Sequence, residues 1–90
     1  MAKIEIYTSP FCPYCYAAKR LLQKKGVAFE EIDVTMVPGA RRQMTERSGG
    51  QATVPQVFVD GRHLGDSDGI HALDAEGKLD RVLGIAAGRG

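Results

Sequence analysis

Apolar and polar positions alternate from Lys3 to Thr8, with Ile4 and Ile6 on one face and Glu5 and Tyr7 on the other, and this period of two predicts a β-strand. Ser9-Pro10-Phe11 interrupts it. From Pro13 to Lys25 the period lengthens. Cys15, Ala18, Leu21 and Leu22 make one stripe while Lys19, Gln23 and Lys24 face away, which predicts a helix. Pro13 suits the first helical turn, where its missing N–H is not needed, and Gly26 stops the helix. Val27 to Val34 reads as a second strand, and Pro38 to Arg47 as a more polar helix with Met44 inward, ended by Ser48-Gly49-Gly50. Gln56 to Val59 is a third strand, and Asp60-Gly61 a tight hairpin turn into a short strand, Arg62 to Leu64. Ser67 to Glu76 reads as a third helix, capped by Asp66 or Ser67 and stopped at Gly77. Leu79 to Leu83 adds a helical turn, and residues 86–90 read as a frayed tail.

The order β-α-β-α-β-β-α predicts an α/β fold. Its first β-α-β unit should be parallel with a right-handed crossover. The last two strands should form an antiparallel hairpin. The expectation is a four-stranded mixed sheet flanked by three to four helices, the thioredoxin-like arrangement. Ninety residues suit one small domain, here residues 1–85.

Charge narrows the function little but excludes something. The net charge is +1, and no dense basic face with interleaved aromatics is visible, so nucleic acid is not the expected partner. The first ten residues carry Lys3, Glu5 and Pro10 and lack the apolar core of a secretory leader, and no run approaches a membrane span. The expected compartment is the cytoplasm, where thiols stay reduced.

The only two cysteines stand in Cys12-Pro13-Tyr14-Cys15. A disulfide between them would close almost no loop and would barely constrain the unfolded chain, so it is poorly explained as a staple. A helix start, by contrast, offers unpaired N–H groups that favour a negative sulfur. Cys12, at or just before that start, should attack. Cys15, one turn inside, should be more buried, stay a thiol longer and resolve. Zinc would need about four protein ligands in a structural site. His63 and His71 could be counted toward it, but they have no paired spacing. Redox chemistry is therefore preferred over a metal site or inert thiols.

Taken together, Ile6-Tyr7-Thr8, Cys12-Pro13-Tyr14-Cys15, Thr53-Val54-Pro55 and Gly65-Asp66-Ser67-Asp68 resemble a glutaredoxin in order and spacing, over about Lys3 to Leu83. The likeness is closest to the short bacterial dithiol members. It implies glutathione as cosubstrate, with no metal or bound prosthetic group. Cys12 would hold the mixed disulfide with glutathione, and Tyr14 would flank its sulfur. Val54 would pair its backbone with the tripeptide as an added strand. Pro55 would be cis, and Thr53 would line the same wall. Ser67 and Asp68 would take the γ-glutamyl end, through helix N–H groups and the Asp68 carboxylate. Gln51 would hydrogen-bond the glycine carboxylate. Two positions depart from the pattern: Ser9 where many relatives carry Lys, and Asp66 where the family usually has Gly. The first leaves the helix start as the main stabiliser of the thiolate. The second brings a negative charge near the γ-glutamyl carboxylate.

The implied activity is reduction of protein disulfides and glutathione mixed disulfides by a monomer. Its partners would be glutathione and disulfide-containing or glutathionylated proteins, ribonucleotide reductase and other reductases among them. One alternative is a glutaredoxin-like electron donor recharged by thioredoxin reductase, favoured by Ser9 and Asp66 and opposed by Tyr14 and Asp68. Another is a dimer around an iron–sulfur cluster held by Cys12 and glutathione, which Pro13 disfavours. A reductase assay separates the first, and anaerobic reconstitution the second.

Overall fold

The computed structural model describes residues 2–85 of the chain. The expected tail at 86–90 lies outside the described residues. The elements are β1 (Ile4–Thr8), α1 (Pro13–Lys24), β2 (Glu30–Asp33), α2 (Ala40–Arg47), β3 (Gln56–Val59), β4 (Arg62–Gly65), α3 (Ser67–Ala75) and α4 (Leu79–Val82). The four strands form one sheet in the order β2-β1-β3-β4. β1 and β2 run parallel, and β1–β3 and β3–β4 antiparallel.

The alternation in β1 is real, but neither face meets solvent. Ile4 and Ile6 pack with Val57 and Val59 against Ala18, Leu21 and Leu22 of α1 and Ile70 of α3. Tyr7 and Phe58 pack on the opposite face against Ala40 and Met44 of α2. All five residues of β1 are buried, including Glu5 at 9% exposure. Glu5 is tolerated there because Arg47 of α2 binds it, with Nη2 2.9 Å from Glu5 Oε1. Arg47 Nη1 also donates to Tyr7 Oη at 2.8 Å, and the Tyr7 hydroxyl donates to Gln43 Oε1 at 2.9 Å. A buried charge thus finds both a counter-charge and a hydrogen-bonded setting.

Two elements depart from expectation by more than one residue at an end. The second strand covers Glu30–Asp33 rather than Val27 to Val34. Val27 and Phe29 instead turn half-buried side chains onto the core beside α1, so their apolar pattern reflects packing and not pairing. The second helix begins at Ala40, not Pro38. Gly39 has φ of 78°, a left-handed backbone that ends the preceding turn and cannot continue as right-handed helix. At the β3–β4 hairpin Asp60 and Gly61 have φ of 52° and 81°, as a two-residue turn of the favoured twist requires.

The antiparallel pairings place the end of β1, the start of β3 and the end of β4 at one edge of the molecule. The loops after β1, before β3 and before α3 therefore converge there. These are the segments holding the thiols, Thr53-Val54-Pro55 and Asp66-Ser67-Asp68.

Candidate active site

Cys12 is the N-cap of α1. Its extended backbone (φ −108°, ψ 106°) precedes the helix, and its sulfur accepts the N–H of Cys15 at 3.3 Å. The main-chain N–H groups of Cys15 and Tyr16 both reach the Cys12 carbonyl, at 3.1 and 3.2 Å. The sulfur thus sits at the positive end of the helix with a donor already aimed at it. Cys12 is partly exposed, whereas Cys15 is 2% exposed. Burial and then the adjoining Cys12 push the Cys15 thiol up to about 12, against lowering by a Ser9 backbone hydrogen bond and the Lys19 charge. Cys15 is consequently a buried thiol at neutral pH, beside a sulfur open to attack a substrate. Phe11, just before Cys12, is 94% exposed with φ of 60°, and Tyr14 is 63% exposed, so the thiol has an apolar rim.

A groove of about 300 Å³ opens beside the thiols, lined by Tyr14, Thr53, Val54, Pro55, Asp66, Ser67 and Asp68. The Val54–Pro55 peptide is cis. The Cys12 thiol lies 3.9 Å from the Val54 carbonyl, which joins this thiol to the groove wall.

The opposite wall is the start of α3. Asp66 caps it, its Oδ1 accepting the Gly69 N–H at 2.8 Å. Its backbone is extended, with φ of −90°, so the position requires no left-handed conformation. The N–H groups of Ser67 and Asp68 belong to the first turn and have no carbonyl a turn earlier within the helix. Ser67 is 4% exposed, and its hydroxyl lies 3.3 Å from His71 Nδ1. Asp68 is exposed beside it.

Six of the seven residues expected to bind the tripeptide therefore line one groove. Gln51 is not among the lining residues. Its backbone N–H and carbonyl both bond the Ser48 hydroxyl at 3.0 Å, closing the loop after α2. Asp66 joins the lining as well as capping the helix. Gln56 is a further buried polar residue beside the groove, and its sequence signal is a lone amide next to Val57-Phe58-Val59. His63 and His71 each contact a neighbouring protein group, Gln56 and Ser67 respectively. Among the described residues no group of three or more His, Cys, Asp or Glu could hold a metal ion.

The fold and the thiol pair at a helix start define the chain as a thioredoxin-like thiol–disulfide oxidoreductase. A sequence model of the family described as Glutaredoxin matches residues 4–64. Glutaredoxin 3 of Escherichia coli (strain K12) is 49% identical over 83 residues, which are 92% of this chain and 99% of that protein. The solution structure of glutaredoxin from Brucella melitensis superposes with a TM-score of 0.79 at 49% identity, covering 92% of this chain and 89% of that one. A buckwheat glutaredoxin–glutathione complex superposes with a TM-score of 0.84 at 26% identity, covering 94% of this chain and 83% of that one. The chain belongs to the glutaredoxin family, whose members are thiol–disulfide oxidoreductases that use glutathione.

Proposed function

We propose that residues 1–85 act as one cytoplasmic, monomeric dithiol glutaredoxin domain that reduces glutathione mixed disulfides and protein disulfides. The observation that carries this reading is the Cys12 sulfur at the N-cap of α1, at the edge of a groove between Val54 and the first turn of α3. No helix among the described residues is long and apolar enough to cross a membrane.

With a glutathionylated protein, the Cys12 thiolate attacks the glutathione sulfur. The S–S bond breaks, and the protein leaves as a thiolate that takes up a proton. Glutathione stays on Cys12 with its backbone along Val54, its ammonium at Asp68 and its γ-glutamyl carboxylate at the Ser67 and Asp68 N–H groups. A second glutathione, as thiolate, attacks the bound glutathione sulfur, frees Cys12 and leaves as glutathione disulfide. With a protein disulfide, Cys12 forms the mixed disulfide and Cys15 gives up its proton to displace it. Once Cys12 is in a disulfide, the hydrogen bond and charge that helped to hold Cys15 protonated are gone. Two glutathiones then reduce the Cys12–Cys15 disulfide.

The test supplies NADPH with either glutathione and glutathione reductase, or thioredoxin reductase alone, and follows turnover of a glutathione mixed disulfide. Turnover is expected in the first system. In Asp68→Asn, KM for the substrate should rise about tenfold with kcat kept, the weight of a charged hydrogen bond. Turnover with thioredoxin reductase alone would overturn the glutathione assignment.

The cap at Asp66 acts in two opposing ways. It satisfies the Gly69 N–H, and it puts a carboxylate where an anion should bind. Asp66→Gly is expected to tighten glutathione binding roughly threefold to tenfold by removing that repulsion, and to lower stability by a few tenths of a kcal/mol. Titration calorimetry and urea unfolding read the two effects separately. Unchanged affinity would remove the repulsion from the account.

A further inference from the structure

The Thr53-Val54-Pro55 wall is irregular backbone outside the sheet, yet it is tied to β4 by a side-chain relay. Gln56 Nε2 donates to the Thr53 carbonyl at 3.0 Å and lies 3.4 Å from the Thr53 hydroxyl oxygen. On its other side, Gln56 Oε1 lies 2.6 Å from His63 Nε2. Gln56 is 1% exposed and shares β3 with Val57, Phe58 and Val59. An aliphatic side chain would fill such a position at lower risk, since a buried amide is costly unless its partners are all present.

The direction of the relay follows from its two ends. The Thr53 carbonyl can only accept, so the Gln56 amide nitrogen faces it and the amide oxygen faces His63. His63 Nε2 therefore carries a hydrogen and donates. The ring is held across the hairpin from Phe58, with centroids 5.1 Å apart. Partial desolvation of the ring against Phe58 and Gln56 pulls the His63 pKa down, and the Asp66 charge opposes that. Either way Nε2 donates: as the Nε2–H tautomer when neutral, or as the imidazolium. The relay is thus a fixed strut and not a pH switch.

We propose that Gln56, oriented by His63, is a positioning residue for glutathione, fixing the Thr53 carbonyl and with it the Thr53–Val54 wall against which the tripeptide lies. The proposal rests on the groove being the glutathione site. Neither side chain reaches the reacting sulfur, so the effect should fall on glutathione recognition and leave Cys12 reactivity alone.

The test compares two rates in the reduced protein: modification of Cys12 by glutathione disulfide, which uses the groove, and alkylation of Cys12 by iodoacetamide, which does not. In Gln56→Leu the first rate should fall roughly tenfold while the second stays within about twofold, as loss of one buried hydrogen-bonding group requires. In His63→Phe, which keeps a ring beside Phe58, the first rate should fall by about threefold, again with the second preserved. His63→Gln, which keeps an N–H donor, should restore most of the loss. His63 is exposed, so its variants carry the test even where Gln56→Leu fails to fold. Equal losses in both rates, or no loss in either, would overturn the proposal. Asp68→Asn separates the two levels of the argument. If it slows glutathione disulfide selectively and the relay variants do not, the groove stands and the relay falls. If it too has no selective effect, the groove assignment itself fails.

Discussion

Cys12→Ser should reduce turnover of glutathione mixed disulfides to the uncatalysed background, while Cys15→Ser keeps it and loses reduction of protein disulfides that need the dithiol route. The asymmetry follows from the helix start. Cys12 is partly exposed, receives the Cys15 N–H and stands at the groove, and a serine hydroxyl there is not ionised near neutral pH. Cys15 is buried one turn inside, and in the proposed route it serves only to resolve. The same burial has a consequence for stability. The Cys15 pKa rises from 9.0 to about 12 on folding, chiefly through desolvation. A thiol that folding holds protonated contributes stability present below the unfolded value, and that contribution is lost as pH climbs toward the folded one. Reduced wild type should therefore lose stability between about pH 9.0 and 12, and Cys15→Ser should lack that component. Stopped turnover assays on the two variants, and urea unfolding across the alkaline range, check the two parts. A Cys15→Ser protein as inactive as Cys12→Ser toward glutathione mixed disulfides would reverse the assigned roles.

Arg47→Met is expected to lower stability by about 2–3 kcal/mol. Arg47 meets Glu5 at 2.9 Å and Tyr7 Oη at 2.8 Å, and its guanidinium lies 4.3 Å over the Phe58 ring. Methionine keeps some of the stem packing but leaves the Glu5 carboxylate inside without its counter-charge. The figure lies below that for a fully buried pair because both side chains retain some solvent contact, 23% for Arg47 and 12% for Glu5. The pH dependence distinguishes this cause from lost packing. The Arg47 hydrogen bond, more than burial opposes it, holds the Glu5 carboxyl below its ordinary 4.5 in the folded protein. That depressed pKa gives wild type a stabilisation present above about pH 4.5 and lost as pH falls through the folded value. The gap between wild type and Arg47→Met should therefore narrow in acid, where Glu5 is protonated in both. Glu5→Leu/Arg47→Met should recover much of the loss, since apolar replacement of a buried pair is often near neutral. Urea titrations of the three proteins near neutral and at acid pH decide it; a gap constant with pH would assign the loss to packing.

The chemistry of the site was largely legible as local pattern. The shift from a two-residue to a helical period at Pro13 marked where α1 begins, and so marked Cys12 as its N-cap. That is a short-range fact of backbone geometry, which neighbouring residues suffice to specify. The hairpin at Asp60-Gly61 and the cap at Asp66 were legible for the same reason. Less legible was what covers each face. The alternation placed Glu5 and Tyr7 on one face of β1 without showing that Arg47 and α2 cover it, because alternation tells which residues share a face and not what lies against it. Val27 to Phe29 looked like strand, because apolar periodicity does not separate packing onto a helix from pairing with a strand.

The sequence by itself determined the order of elements, the thiol pair at a helix start and the candidate wall residues, since each depends on residues near one another along the chain. The tertiary structure decided which of those residues meet. Antiparallel pairing of β3 with β1 and β4 carried Val54 and the α3 start to Cys12, left Gln51 off the groove lining and closed Arg47 over Glu5. It also joined Gln56 to both Thr53 and His63. The physical reason is that burial and hydrogen-bond satisfaction are conditions on the whole molecule: a buried amide or carboxylate is explained only by the partner that folding brings to it.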